Sequence, residues 1–258
     1  MLTIDAIPAF SDNYIWMIGA PGRSGVAVVD PGDAAPVLEV LESSGSHLAA
    51  ILLTHHHGDH TGGVRELVER HPVPVFGPEL EAISDVDNPV RGDQVVALAD
   101  LDLYLRVVDV PGHTAGHVAY VGPDFALVGD TIFAGGCGRV FEGTMEQMHA
   151  SLTRLAALPP ETAIYCAHEY TVANLCFARE VEPGNRALEQ RLDDAVAART
   201  AGDVTVPSQL ADELATNPFL RCDQPPVAAA AEGRAGRRLT SEAEVFAVIR
   251  QWKDGWRV

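Results

Sequence analysis

Thr54-His55-His56-His57-Gly58-Asp59-His60 follows directly on the apolar run Ala50–Leu53. A short aliphatic run that stops at such a polar segment reads as a strand ending in a loop. Side chains alternate along an extended chain, so His55, His57 and Asp59 project to one side and His56 to the other. Gly58 permits a turn that brings His60 to the same place. Neutral imidazole and carboxylate suit zinc, iron or manganese, and four such donors within six residues make this segment metal-ligating. The bland alternative is a solvated histidine loop, but this run is internal and carries an aspartate among its histidines.

Three more strand-like runs end on a donor. Leu103–Val110 leads into Pro111-Gly112-His113, Phe125–Val128 into Gly129-Asp130, and Ala163–Cys166 into Ala167-His168. Taken singly, His113 and His168 could be hydrogen-bonded loop histidines and Asp130 a turn cap. Together, four strand ends that each deliver a ligand describe one convergent site. Seven donors exceed the three that a catalytic zinc keeps beside its water, so the set predicts two ions. Asp130, with two oxygens, is the natural bridge. The others divide into His55, His57 and His113 on one ion and Asp59, His60 and His168 on the second. Two ions ~3.5–4 Å apart can hold a bridging hydroxide as nucleophile at neutral pH. No Ser or Cys nucleophile is then needed, and the chain contains no G-x-S-x-G elbow. Cys166 reads as a core residue, His56 faces away from the ions, and His117 belongs to the core or to the support of the ligands.

The chain around these motifs has 258 residues, 47% of them hydrophobic, which is ample for a buried core and for one or two domains. Up to about Tyr170 it alternates short strands (Val26–Val29, Val73–Phe76 and Val118–Val121 among them) with helices at Val64–Arg70 and Thr144–Leu158, the latter behind a Thr144/Gln147 capping box. After Tyr170 the period becomes helical. Asn185 caps Leu188, Leu192 and Val196, and Ser241/Glu244 forms a capping box before Val245, Val248, Ile249 and Trp252. Asp223–Arg238, rich in Ala, Gly, Pro and Arg without periodicity, reads as a flexible loop. The expected domains are 1–170, mixed α/β and metal-binding, and 171–258, helical.

Eighteen basic against 36 acidic residues give a net charge of −18, a field that disfavours nucleic acid and anionic membrane surfaces. Seventeen of the basic residues are arginine, and the single lysine, Lys253, precedes Asp254, so no Gly-Lys-Ser/Thr phosphate loop exists. Four scattered cysteines without a C-x-x-C pair, and an acid within the first eight residues, predict a cytoplasmic protein with reduced thiols. A monomer is the default expectation.

Thr54-His55-x-His57-x-Asp59-His60 with His113, Asp130 and His168 resembles the metallo-β-lactamase superfamily, over roughly residues 1–170. That resemblance implies an αββα sandwich with the metals at one edge. More narrowly, the chain is similar to the hydroxyacylglutathione hydrolase (glyoxalase II) family along nearly its whole length. The matching words are Ser11-Asp12-Asn13-Tyr14, Val128-Gly129-Asp130-Thr131-Ile132-Phe133, Gly136-Cys137-Gly138-Arg139, Phe141-Glu142-Gly143-Thr144, His168-Glu169-Tyr170-Thr171, Glu182-Pro183-Gly184-Asn185 and Asn217-Pro218-Phe219-Leu220-Arg221. The resemblance implies the same division of ligands between two ions, zinc first and iron or manganese otherwise. It also implies a C-terminal helical domain that helps form the thioester site. Carried over, Arg139, Phe141, Tyr170, Arg250 and Lys253 would hold glutathione, with Asp59, His60 and Asp130 as catalytic candidates. Two of these depart from the family pattern: Arg139 stands where lysine is common, and Phe141 where some members have tyrosine. The implied reaction is hydrolysis of S-D-lactoylglutathione, or a related 2-hydroxyacyl-glutathione, to glutathione and D-lactate, a step of methylglyoxal detoxification. A mononuclear-iron persulfide dioxygenase, or a superfamily hydrolase of another thioester, is the alternative. The first uses two His and one Asp, and the complete second ligand set and the helical tail favour the hydrolase.

Overall fold

The computed structural model describes residues 2–257. Met1 and Val258, the outer limits of the two expected domains, lie outside the described residues. The chain packs as two compact units, one formed by residues up to Asp109 with Thr114–Gly129, the other by Val110–His113 with the chain from Asp130 onward.

In the first unit, strands β1 (Thr3–Ala9), β2 (Asn13–Gly19), β3 (Gly25–Val29), β4 (His47–Leu52), β5 (Val75–Pro78) and β6 (Asn88–Val90) make one sheet in chain order. β1 to β3 are antiparallel, whereas β3 to β6 are parallel. Parallel strands need crossovers: helix α1 (Ala34–Ser44) lies in the one from β3 to β4, and α2 (Gly58–Thr61) and α3 (Val64–Arg70) in the one from β4 to β5. α1 starts where the Asp33 side chain accepts from the Ala35 N–H and stops at Gly45, which is left-handed. Its Val37 and Leu41 pack with Val64 and Leu67 of α3 against Val28 and Ile51. β3 is buried at every residue, as a strand covered on both faces must be, whereas β1 alternates. β7 (Val95–Leu98), β8 (Leu103–Asp109), β9 (Val118–Val121) and β10 (Phe125–Gly129) follow as an antiparallel meander.

The second unit begins with the hairpin β11 (Ile132–Phe133) and β12 (Gly136–Cys137), then α4 (Met145–Ala156), β13 (Ala163–Cys166) and α5 (Thr171–Val181). α6 (Arg186–Ala201), β14 (Ser208–Gln209), α7 (Leu210–Thr216), α8 (Pro225–Ala235) and α9 (Glu242–Gly255) complete it, with β14 antiparallel to β13. The expected caps of α4 and α6 are present. Thr144 and Gln147 close both halves of the box, and the Asn185 side chain accepts from the Leu188 N–H. At α9 only half of the expected box forms. Ser241 caps the Glu244 N–H, while the Glu244 carboxylate reaches one residue further back, to the Thr240 N–H at 2.6 Å.

The expected loop over Asp223–Arg238 is wrong: its centre is α8. Proline fits the first helical turn, alanine has the highest helix propensity, and Gly236 supplies the left-handed stop. A run of alanines shows no apolar stripe because nearly every position is alike, and the helix buries only Val227 and Ala231, four residues apart.

Candidate metal centre

In the first unit the histidine segment is extended only as far as His57, after which Gly58–Thr61 turn into α2. Asp59 and His60 are therefore placed by a helical turn and not by strand alternation. His55 and His60 are fully buried, and the side chain of Asp59 is 44% exposed. His55 Nε2 lies 3.0 Å from His57 Nδ1, and His60 Nε2 lies 3.5 Å from Asp59 Oδ2. Asn13 steadies the aspartate by donating its Nδ2–H to Asp59 Oδ2 at 3.1 Å.

Behind these side chains stands a residue that sequence reasoning missed. Asp30, 4% exposed, accepts from the Thr54 N–H at 2.8 Å, from the Thr54 hydroxyl at 2.7 Å and from His60 Nδ1 at 3.1 Å. A carboxylate only accepts, so His60 carries its proton on Nδ1 and presents the Nε2 lone pair. The Thr54 hydroxyl spends its one proton on Asp30 and so must accept from His55 Nδ1, 3.0 Å away. His55 too presents Nε2. One buried carboxylate thus sets the tautomer of two histidines. Asp30 sits just past β3 at φ +53°, a left-handed conformation that a side chain rarely adopts outside a functional constraint. The signal was available, because Val26–Val29 ends on Asp30 as four other runs end on their donors. His56 turns away, as expected, to Glu81 Oε2 at 2.8 Å, and His117 is fully buried with its ring stacked on His55 at 4.7 Å.

Gly32 is required by close approach. A Cβ there would stand 1.9 Å from the Asp59 carbonyl oxygen. Gly32→Ala must therefore push the Asp59 backbone aside. At the ~1–3 kcal/mol of an overpacked site, its thermal midpoint is expected about 2–12 °C below the parent, as calorimetry would show.

In the second unit, Asp130 is 7% exposed and its two oxygens face different imidazoles. His113 Nε2 lies 3.3 Å from Oδ2, and His168 Nε2 lies 3.4 Å from Oδ1. His113 donates its Nδ1–H to the Arg139 carbonyl at 2.7 Å, which again turns Nε2 toward the carboxylate. Two nitrogens bound tetrahedrally at ~2.0–2.1 Å stand ~3.3–3.4 Å apart. The Asp130 pairs have this spacing, which is longer than a good hydrogen bond, and the first unit's pairs bracket it. Neutral lone-pair nitrogens beside carboxylates at these separations fit divalent cations.

The expected substrate residues surround these histidines unevenly. Phe141 lies 5.3 Å from His113 with the Arg139 guanidinium 5.5 Å from its ring centre, and the Tyr170 ring stacks on His168 at 4.8 Å. Phe141 and Arg139 are exposed. Arg250, by contrast, is 6% exposed. It donates to the Cys137 carbonyl at 2.9 Å, pairs with Asp254, and stacks 5.2 Å from the centre of Phe219. Lys253 is half-buried, bonded to the Ala173 carbonyl at 3.1 Å and lying over Phe177 and Trp256. Cys166 is buried, its thiol pushed up to about 12 by burial, which leaves no thiolate nucleophile there near neutral pH.

Residues 10–168 match the model of the metallo-beta-lactamase superfamily, and residues 169–256 match that of the hydroxyacylglutathione hydrolase C-terminus. The hydroxyacylglutathione hydrolase of Alkalilimnicola ehrlichii is 58% identical over 254 residues, covering 98% of this chain and 99% of that one. The chain belongs to the hydroxyacylglutathione hydrolase family. Its relative from Halorhodospira halophila, of the same name, is 55% identical over 254 residues, with 98% and 99% coverage. Among solved structures, ETHE1 from Myxococcus xanthus superposes with a TM-score of 0.68 at 23% identity, over 98% of this chain and 91% of that one, a likeness of fold. TTHA1623, solved in a di-iron-bound form, gives 0.54 at 28% identity over 64% and 91%. The chain has the metallo-β-lactamase fold and the C-terminal helical region expected from its motifs, and its His and Asp groups are those of a divalent-metal enzyme. Among the described residues, no helix is long and apolar enough to cross a membrane.

Proposed function

We propose that this chain hydrolyses S-D-lactoylglutathione, or a closely related 2-hydroxyacyl-glutathione, to glutathione and D-lactate, using two divalent ions, zinc first. His55, His57 and His113 would hold one ion, Asp59, His60 and His168 the other, and Asp130 both. The observation that carries this reading is Asp130, a buried carboxylate whose two oxygens each address a different histidine. Bound there, the ion pair would supply Lewis acidity toward a thioester carbonyl and bring the pKa of a water into the neutral range. The chain's own groups do the rest. Asp30 and the Arg139 carbonyl fix the lone pairs of His55, His60 and His113. Asp59, half-exposed and steadied by Asn13, would take the proton. The leaving thiolate needs no strong acid, which agrees with the absence of a further acid in the set.

Arg139, Phe141, Tyr170, Arg250 and Lys253 would hold glutathione. Phe141 and Tyr170, set against His113 and His168, support this for the thiol end, although Phe141 lacks a phenol that would add ~0.5–1.5 kcal/mol. Residues 1–170 would bear the metals together with Arg139, Phe141 and Tyr170, and the helical 171–258 would bring Arg250 and Lys253 to the glutathione moiety. The free cysteines support a cytoplasmic location. The test is thiol release from S-D-lactoylglutathione by the purified protein, followed with a colorimetric thiol reagent. Rapid release that a chelator abolishes is expected. No release from protein holding two metal equivalents overturns the reading.

Lys253 supplies a pH signature. Burial, with the Arg250 charge beside it, lowers its ammonium to about 8. Above that pH the folded chain loses this positive charge, so KM for the anionic thioester is expected to rise through pH 8, and to show no such rise in Lys253→Met. Stability moves the other way. Between about 8 and the ordinary lysine value near 10.4 the unfolded chain binds more protons, so stability increases with pH across that window. Initial rates and thermal midpoints across pH check both.

A further inference from the structure

One residue past Lys253, α9 carries a carboxylate aimed at two of the arginines assigned above to the substrate. Asp254 Oδ1 lies 3.2 Å from Arg250 Nη2 and 3.5 Å from Arg139 Nε. The two contacts differ in kind. The Arg250 side chain is 7% exposed, and it is held independently by the Cys137 carbonyl and the Phe219 ring. Removing the charge of Asp254 therefore leaves Arg250 in place. The Arg139 side chain is 58% exposed, and its contact with Asp254 is long, the kind of ion pair that water and salt weaken. A stronger carboxylate can take Arg139 from Asp254 without stranding either partner, because Asp254 keeps Arg250.

We infer that Asp254 is an internal carboxylate occupying the anion-binding face of Arg139, and that it sets how strongly a ligand's carboxylate must bind to displace it. It is an affinity-setting residue for the carboxylate end of the ligand: it raises the threshold for an anion at Arg139 and leaves ligands without a carboxylate unaffected. In a chain of net charge −18, an acid against an exposed arginine opposes incoming anions further. The inference rests on the reading of the site as one for glutathione thioesters, and it concerns Arg139 alone among the expected cations.

The test compares glutathione with its diethyl ester, which lacks both carboxylates, by calorimetric titration of the metal-loaded protein. Asp254→Asn keeps an oxygen for Arg250 and removes the charge. It is expected to tighten glutathione by about two- to fivefold, the range of an exposed ion pair, with no change for the diester. KM for S-D-lactoylglutathione should fall by the same factor at unchanged kcat. The gain should vanish in an Arg139→Gln background, where the double-mutant cycle isolates the pair. Glu189→Gln, which removes a unit charge from an exposed position on α6, should change neither affinity. Glutathione affinity that stays equal or weakens in Asp254→Asn, or an equal gain for the diester or for Glu189→Gln, overturns the inference. Should Asp254→Asn fail to fold, Asp254→Ser is measured in its place with the same expectations. A parent protein that releases no thiol counts against the hydrolase reading, while the affinity comparison still decides the role of Asp254.

Discussion

Asp130→Ala is expected to slow thiol release on the order of a thousandfold, about 4 kcal/mol of transition-state stabilisation at tenfold per 1.36 kcal/mol. The size follows from one side chain doing two jobs. Asp130 Oδ2 faces His113 and Oδ1 faces His168, so alanine removes a ligand from each proposed ion at once. It also takes away one of the two carboxylates in the proposed set, leaving Asp59 as the single charge among six donors that must hold two divalent cations. Elemental analysis of the variant should show fewer than two ions per chain. Two ions with more than about a tenth of the parent rate would show that Asp130 is not the shared ligand.

Asp30→Asn is expected to cost on the order of 10–100-fold in metal affinity or activity, the usual penalty for removing the group that orients a ligand. The carboxylate accepts three hydrogen bonds, from the Thr54 N–H, the Thr54 hydroxyl and His60 Nδ1. Asparagine has a single acceptor oxygen, so its NH2 must meet at least one of these donors inside the core. A buried donor left unsatisfied costs ~1–3 kcal/mol in stability, which thermal unfolding reads. Asparagine tolerates φ +53° as aspartate does, so backbone strain does not confound the comparison. Chelator competition would measure the metal affinity, and an affinity equal to the parent's would remove Asp30 from the account.

Much of the fold and of the donor set is legible in the sequence. The His55–His60 segment stands out because the buried end of β4 runs straight into four donors with an aspartate among the histidines, which a solvated histidine loop has no need of. The ends of β10 and β13 repeat the pattern at Asp130 and His168. The α4 and α6 caps are local chemistry and survive folding unchanged. What the sequence concealed has physical causes. Asp30 precedes Pro31-Gly32, a turn signal strong enough to hide a strand-end donor. α8 was hidden by its alanines, whose uniformity erases the period on which helix recognition depends. Arg250 and Lys253, three apart on α9, are given alike by the resemblance as residues that hold glutathione. In the structure, the Arg250 guanidinium lies over Phe219, and only tertiary packing decides that. Asp254 was legible as the residue after the sole lysine, but its approach to Arg139, more than a hundred positions away, was not.

The central claim is that two ions, held by seven side chains, are needed for one hydrolysis. Metal-free protein titrated with zinc, with thiol release from S-D-lactoylglutathione measured at each addition, tests it most directly. The account predicts that activity reaches its plateau only at two ions per chain. Full activity at one ion per chain would contradict it.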